Sequence, residues 1–354
     1  MSENEIGFLN ENGISLEKAN DVLEKYERDH NGNFILKNGD YIISDLPTDM
    51  YKCSEGWIFL PQIDPFTRNQ LQGSMALIKT TIPEKCPGYY TGTDGEMLRT
   101  NIFILSEVAK QFQLKTANYY NTIFRDSKEL ESEENSIRVK GKKDRRIKSG
   151  QRYILTPSFR GENEELLHYA DMLSDSKELR AKVMLDEIKE YLRIRHIPEG
   201  DIEQVEREFI KQTIFNKFIE YSDEHNLNGG VLITNEPQNR RARLAPSYDL
   251  DFATGIYNVT TGSRTPMFFF RTANNGRDDM IGMLEQFKGE FVGRYLQETI
   301  GNFDLETAIE QGERNGNFRI SDKARRKYTR FFSAQIRELT EHYEKEYGGK
   351  RIDR

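Results

Sequence analysis

Apolar residues in this chain change their spacing partway along. Before residue 95 they come in short runs: Phe34–Leu36, Tyr41–Ile43, Trp57–Leu60 and Met75–Lys79 (MALIK). Such runs, bounded by turn signals like HNGN at 30–33 and KNGD at 37–40, predict short strands. One helix is predicted ahead of them, over 14–29, where Ala19, Val22, Leu23 and Tyr26 recur at helical spacing. Residues 96–113 predict a second helix, with Met97, Ile102, Leu105, Ala109 and Phe112 on its apolar face. Two strands follow, Tyr119–Phe124 and Tyr153–Leu155.

From 163 onward the period is helical: 163–174, 176–195, 201–222, 278–299, 304–313 and 321–346. The 201–222 segment is the best marked. Val205, Phe209, Thr213/Ile214 and Phe218 form one stripe, and Asp201 followed by Gln204 reads as its start. One hairpin is predicted inside the helical part, with strands at 230–234 and 241–245 around the turn NEPQN. Strands first and helices second define an α+β chain with a bilobed layout. The expected lobes are 1–155, strand-rich, and 156–354, helical, with a charged insert at 128–149. That insert is acidic first (Glu129, Glu131, Glu133, Glu134) and then basic (Arg138 to Lys148). It reads as a hydrated excursion or as a docking patch for an anionic partner.

Composition narrows the function classes. The chain of 354 residues is only 36% hydrophobic but 11% aromatic, so its core is built from a few large side chains. No run approaches the ~18–20 apolar residues of a membrane span. The N-terminal MSENEIGFLN has no secretory pattern, and Cys53 and Cys86 are the only cysteines, so a reducing cytoplasm is expected. Five histidines without an HExxH pair argue against a zinc hydrolase. A net charge of -7 argues against direct nucleic-acid binding. The absence of G-x-G-x-x-G excludes a standard dinucleotide fingerprint and an ordinary kinase glycine-rich loop.

The chemistry is concentrated between Tyr221 and Gly255. A buried helix is followed by Asp223, His225 and Asn228, then the hairpin, then Pro246-Ser247-Tyr248-Asp249. A carboxylate, an amide five residues on, and a second carboxylate beyond a hairpin is the pattern phosphoryl transfer requires. One carboxylate accepts the proton of the attacking hydroxyl, while an amide oxygen and a second carboxylate hold Mg²⁺ on the nucleotide phosphates. Each residue also has a plain structural reading. Asp223 and Asp249 suit helix ends and turns, His225 suits a structural role, and Asn228-Gly229-Gly230 suits a tight turn.

The stretch resembles the HipA-like and CtkA-like serine/threonine kinases, a branch of the protein-kinase-like fold. Their catalytic loop, D-x-H-x-x-N, stands here as Asp223-Glu-His225-Asn-Leu-Asn228, and their metal segment, P-x-Y-D, as Pro246-Ser-Tyr248-Asp249. The resemblance implies that Asp223 is the catalytic base, that Asn228 and Asp249 bind Mg²⁺, and that His225 steadies the loop. It implies ATP as cofactor and a protein Ser/Thr hydroxyl as acceptor, and it brings an antitoxin-type partner with it. Lys79, ending MALIK like the V-A-I-K pattern, is the nucleotide-binding lysine expected, and Gln72-Gly73-Ser74 the expected phosphate loop. The hinge is expected at Tyr153–Phe159. Ile102 occupies the position where the family's helix glutamate belongs, with Glu96 and Glu107 as the nearest acids, and Asp251 stands two residues beyond Asp249. Two other functions fit the same residues: a lipid or small-molecule kinase, and a kinase-like interaction protein with a degenerate site.

Overall fold

The computed structural model describes residues 27–28, 34–36, 43–44, 54–63, 70–80, 95–124, 152–157, 159, 164–173, 181–220, 229–234, 236, 239–248, 250, 280–316 and 318–348. By contacts the chain divides into two compact units. One comprises Met1–Thr100, Ala117–Glu162 and Asn315–Asn317; the other comprises Asn101–Thr116, Asn163–Arg314 and Phe318–Arg354. The division is not one cut in the sequence, since 101–116 go with the second unit. No described helix is long and apolar enough to cross a membrane.

Among the described residues the first unit holds seven strands: β1 (Glu27–Arg28), β2 (Phe34–Leu36), β3 (Ile43–Ser44), β4 (Ser54–Ile63), β5 (Gln70–Thr80), β6 (Tyr120–Phe124) and β7 (Arg152–Pro157). They form one sheet in the order β1-β2-β6-β7-β5-β4-β3. Its longest pairing is the antiparallel β4–β5 ladder, from Ser54 opposite Lys79 to Ile63 opposite Gln70. The apolar runs WIFL and MALIK lie inside these two strands, as β-branched and aromatic residues favour. The helix expected over 14–29 is corrected at its end. Glu27 and Arg28 are strand β1, paired with Ile35 and Phe34, so ladder pairing wins there over the helical period. Residues 14–26 and the charged insert at 128–149 lie outside the described residues.

Helix α1 (Gly95–Gln111) carries the expected apolar face, with Ile102, Leu105, Ala109 and Phe112 all buried. The second unit continues with β8 (Glu164–His168), α2 (Tyr169–Met172), α3 (Ala181–Ile194), α4 (Glu199–Phe218), β9 (Gly230–Thr234) and β10 (Ala242–Leu244). Helices α5 (Met280–Gln286), α6 (Glu290–Asn302), α7 (Leu305–Gly316) and α8 (Asp322–Tyr347) follow among the described residues. The helix expected over 278–299 is thus two helices, parted at Phe287–Gly289.

The helix expected over 163–174 is also corrected. Its first half is β8, which pairs antiparallel with β9 from Glu164 opposite Thr234 to His168 opposite Gly230. With the predicted β9–β10 hairpin this makes a three-stranded sheet in the order β10-β9-β8. Arg243 on β10 reaches Glu164 on β8 with two bonds of 2.7 and 2.6 Å, so the two outer strands are tied across the central one.

Helix α4 is the centre of the unit. Its stripe of Val205, Phe209, Ile214 and Phe218 is buried as the spacing predicts. Ile210, Gln212, Thr213 and Phe215 are buried too, so the C-terminal half is enclosed on all sides. Phe218 lies 4.6 Å from Phe112, 5.5 Å from Phe303 and 5.5 Å from Phe332, measured between ring centres. This cluster accounts for how a chain of modest hydrophobicity packs: a few large rings supply much of the buried apolar area.

The start of α4 differs from the expectation. The helix begins at Glu199 after Pro198, and Asp201 is its third residue rather than its cap. The Asp201 carboxylate instead accepts two bonds of 2.7 Å from the Arg241 guanidinium and a third, at 3.0 Å, from the backbone N–H of Ala242. The arginine bond holds this carboxyl below the usual carboxylate range against the opposing effect of burial, with the Ala242 N–H adding to it. The first turn of α4 is thereby fastened to the start of β10.

Candidate functional site

Asp223, His225, Asn228, Asp249 and Asp251 lie outside the described residues, which stop at Glu220, resume at Gly229 and include Tyr248 and Leu250. The chain enters the 221–228 segment from the end of α4, where Ile219 N–H donates to Phe215 at 2.9 Å and Glu220 N–H donates to Lys217 at 3.0 Å. Glu220 has φ 48°, a left-handed turn that costs a non-glycine residue about 1 kcal/mol and here ends the helix abruptly.

The chain leaves that segment through Gly229 and Gly230. Both glycines answer to space, not to positive φ. A Cβ on Gly229 would sit 2.2 Å from the Tyr169 ring, and one on Gly230 would sit 2.3 Å from the Leu167 carbonyl oxygen. Gly230 thus leaves no room for a side chain unless backbone shifts, and Gly229 none unless the Tyr169 ring moves; Asn228, the other residue of the tight-turn reading, lies outside the described residues. Tyr169 N–H donates to the Gly229 carbonyl at 3.1 Å, continuing the β8–β9 ladder by one bond.

The hairpin then returns the chain to its origin. Ala242, Arg243 and Leu244 pair with Ile233, Leu232 and Val231, and Ala245 N–H donates to the Gly230 carbonyl at 2.9 Å. Pro246, Ser247 and Tyr248 follow at once, all buried. Ser247 N–H donates to the Lys115 carbonyl at 2.8 Å, and Ser247 bridges Thr116 in parallel. Lys115 is delivered by a left-handed turn at Gln113 (φ 54°) that ends α1. Tyr248 places its hydroxyl 3.4 Å from His168 Nδ1. Gly229 and Gly230, which follow the D-x-H-x-x-N stretch in sequence, and Pro246, Ser247 and Tyr248 of the P-x-Y-D stretch therefore flank the base of one hairpin.

A buried polar chain joins the same pieces from behind. Tyr169 donates its hydroxyl to Gln212 Oε1 at 2.8 Å, and Gln212 Nε2 donates to Ser247 Oγ at 2.9 Å. Sequence reasoning passed over Gln212, Tyr169 and His168. The available signal was an amide inside the apolar run Phe209–Phe215, where a polar side chain needs a partner.

On the strand side, Lys79 lies on β5, an inner strand, opposite Ile154 of β7 and Ser54 of β4. Gly73 and Ser74 lie on the same strand, opposite Pro61 and Leu60, so the loop expected at 72–74 is strand. The hinge expectation falls on β7, which ends at Pro157. Ile102, where a glutamate was sought, is fully buried, and Glu107 pairs with Lys110 of its own helix at 2.6 Å. Among the described residues no cluster of His, Cys, Asp and Glu could hold a metal ion. The donors named from the sequence, Asn228 and Asp249, are oxygen ligands, a set that fits Mg²⁺.

A strand-rich unit and a mainly helical unit with a three-stranded sheet make up the described fold. The crystal structure of the Helicobacter pylori proinflammatory kinase CtkA has this fold. It superposes with a TM-score of 0.52 over 81% of this chain and 96% of that one, at 11% sequence identity. HipA of Shewanella oneidensis MR-1, solved with HipB and operator DNA, aligns with a TM-score of 0.34 over 82% of this chain and 64% of that one, also at 11% identity. No protein-family model and no curated protein matches the sequence.

Proposed function

We propose that the chain is an ATP- and Mg²⁺-dependent kinase that transfers the γ-phosphate to a protein Ser or Thr hydroxyl. The observation that supports this most is the bond from Ala245 N–H to the Gly230 carbonyl. It closes the hairpin so that Asn228 and Asp249 stand close along the chain to one clamped point, on a fold shared with a kinase.

On this reading Asp223 orients the acceptor hydroxyl and takes its proton as the oxygen attacks the γ-phosphorus. Asn228 and Asp249 hold Mg²⁺, which when bound neutralises phosphate charge. His225 steadies the loop, and Lys79 meets the nucleotide phosphates from β5. Gly73 and Ser74, which precede Lys79 on the same strand, would border the nucleotide on this reading without forming a covering loop. An antitoxin-type partner belongs to the same reading on the sequence resemblance alone, and a cytoplasmic setting accords with the cysteine usage.

The test is transfer of labelled γ-phosphate from ATP to a protein Ser/Thr acceptor, or to the chain itself, by purified protein. Wild-type protein transfers with Mg²⁺, and Asp223→Ala abolishes transfer while keeping the Mg²⁺-ATP-dependent rise in melting temperature. Full transfer by Asp223→Ala removes the assignment.

A further inference from the structure

We infer that Gln212 is a positioning residue that sets the catalytic loop and the metal segment in register with each other. This rests on the kinase reading above. Three features of the described residues carry it.

First, Gln212 is buried at 7% exposure in the most enclosed part of α4, six residues before the helix ends and nine before the 221–228 segment begins. A buried amide gains little net stability over an apolar side chain of the same shape, because its bonds replace bonds to water. Its presence there calls for a reason other than packing.

Second, both ends of the amide are used, and they point to different segments. Oε1 accepts from the Tyr169 hydroxyl and Nε2 donates to Ser247 Oγ. Tyr169 holds Gly229 twice, through its backbone N–H on the Gly229 carbonyl and through the ring that fills the place of a Gly229 Cβ. Gly229 directly follows Asn228, and Ser247 stands two residues before Asp249. One side chain thus links the residue next to one proposed Mg²⁺ ligand with the residue two before the other, and α4 itself leads into Asp223.

Third, the linkage is enforced at its far ends. Ser247 is fixed by the Lys115 carbonyl and Tyr169 packs edge-on to Phe209 at 5.6 Å between ring centres. A shift of Gln212 is therefore passed to both segments and not absorbed by one of them. Bonds to buried polar groups of this kind specify a unique arrangement more than they add stability.

The experiment uses the full chain and three variants, Gln212→Met, Gln212→Glu and Ser247→Ala. Hydrogen exchange is followed in peptides covering 221–230 and 245–250, and Mg²⁺-ATP binding is measured by calorimetry over a Mg²⁺ titration. Gln212→Met keeps the volume and loses both bonds. It is expected to speed exchange in both peptides together and to raise the half-saturating Mg²⁺ concentration about tenfold, a change of about 1.4 kcal/mol. Gln212→Glu keeps an acceptor for Tyr169 and accepts from the Ser247 hydroxyl, and is expected to restore most of the Mg²⁺ response. Ser247→Ala cuts only one arm, and is expected to move the 245–250 peptide alone. Unchanged exchange in both peptides of Gln212→Met, or no rescue by Gln212→Glu, overturns the inference and leaves the kinase reading standing. If Gln212→Met does not fold, Ser247→Ala decides: a Mg²⁺ response identical to wild type overturns the inference. Absence of Mg²⁺-ATP binding by the wild-type chain overturns the kinase reading and this inference with it.

Discussion

The backbone N–H of Ala245 and the carbonyl of Gly230 meet at 2.9 Å, at the base of the β9–β10 hairpin. The contact depends on Gly230 lying against β8. An added methyl in Gly230→Ala meets the Leu167 carbonyl oxygen at 2.3 Å, and backbone cannot move aside as a side-chain tip can. Gly230→Ala should lower unfolding free energy by about 3 kcal/mol, the upper end for overpacking, as read by urea denaturation. Gly229→Ala displaces a ring instead, so its fold should survive while nucleotide binding weakens.

Asp201 provides a second measurement. Its two bonds to Arg241 and one to Ala242 are lost in Asp201→Ala, but the abandoned guanidinium is largely exposed and returns to water. The loss should therefore be about 1–3 kcal/mol, that of charge-assisted bonds without a stranded buried charge. Because the folded-state pKa is depressed, the contribution is present above the unfolded value of roughly 3.9 and disappears as pH falls through the folded one. Asp201→Asn should flatten the acid limb of a stability–pH curve below about pH 4. An unchanged limb would falsify this account of the pair.

His342 on α8 titrates in a milder window. Burial lowers its pKa, against the raising effect of Glu346 and Glu285 and with a smaller lowering from Lys288 and Lys345. The folded state thus binds the proton less readily than the unfolded chain. Stability from this site is complete above about pH 6.5 and declines as pH falls below it. His342→Gln should lose less melting temperature than wild type between pH 7.5 and 5.5. An equal or greater loss counts against the assignment.

Lys79→Met tests the nucleotide side. Lys79 sits near the end of an inner strand, so the exchange removes charge with little effect on the ladder. Wild-type protein should melt higher with Mg²⁺-ATP, by the equivalent of about 2.7 kcal/mol at a hundredfold excess over Kd. The variant should lose most of that shift while keeping its ligand-free melting temperature.

The second unit was largely legible from periodicity where elements are local. Helices α1, α4 and α8 and the β9–β10 hairpin fall within a few residues of their predicted bounds. The misreadings share a cause. Glu164–His168 (EELLH) has no alternation and runs straight into a helical turn, and only its pairing with β9, far along the chain, makes it a strand. Asp201 looks like a cap locally because the arginine that claims it comes forty positions later. The glycine pair fits a turn until the Tyr169 ring is placed against it. Gln212 was passed over because its partners lie on α2 and after β10, and no local rule connects them.

The central place of β9 also orders events in time. Its neighbour β10 is next in the chain, whereas His168 must wait for Gly230 to be made, 62 positions later. Closing so wide a loop costs entropy before any bond repays it, although α3 and α4 form within it and shorten the search. During synthesis α4 can coil as soon as it emerges, but Asp201 has no arginine to hold and Gln212 has no serine. A chain stalled before residue 230 would hold β8 with no strand to pair it and Gln212 with no serine to reach, so the hairpin that the proposed chemistry requires can form only after the whole of α4 has been made.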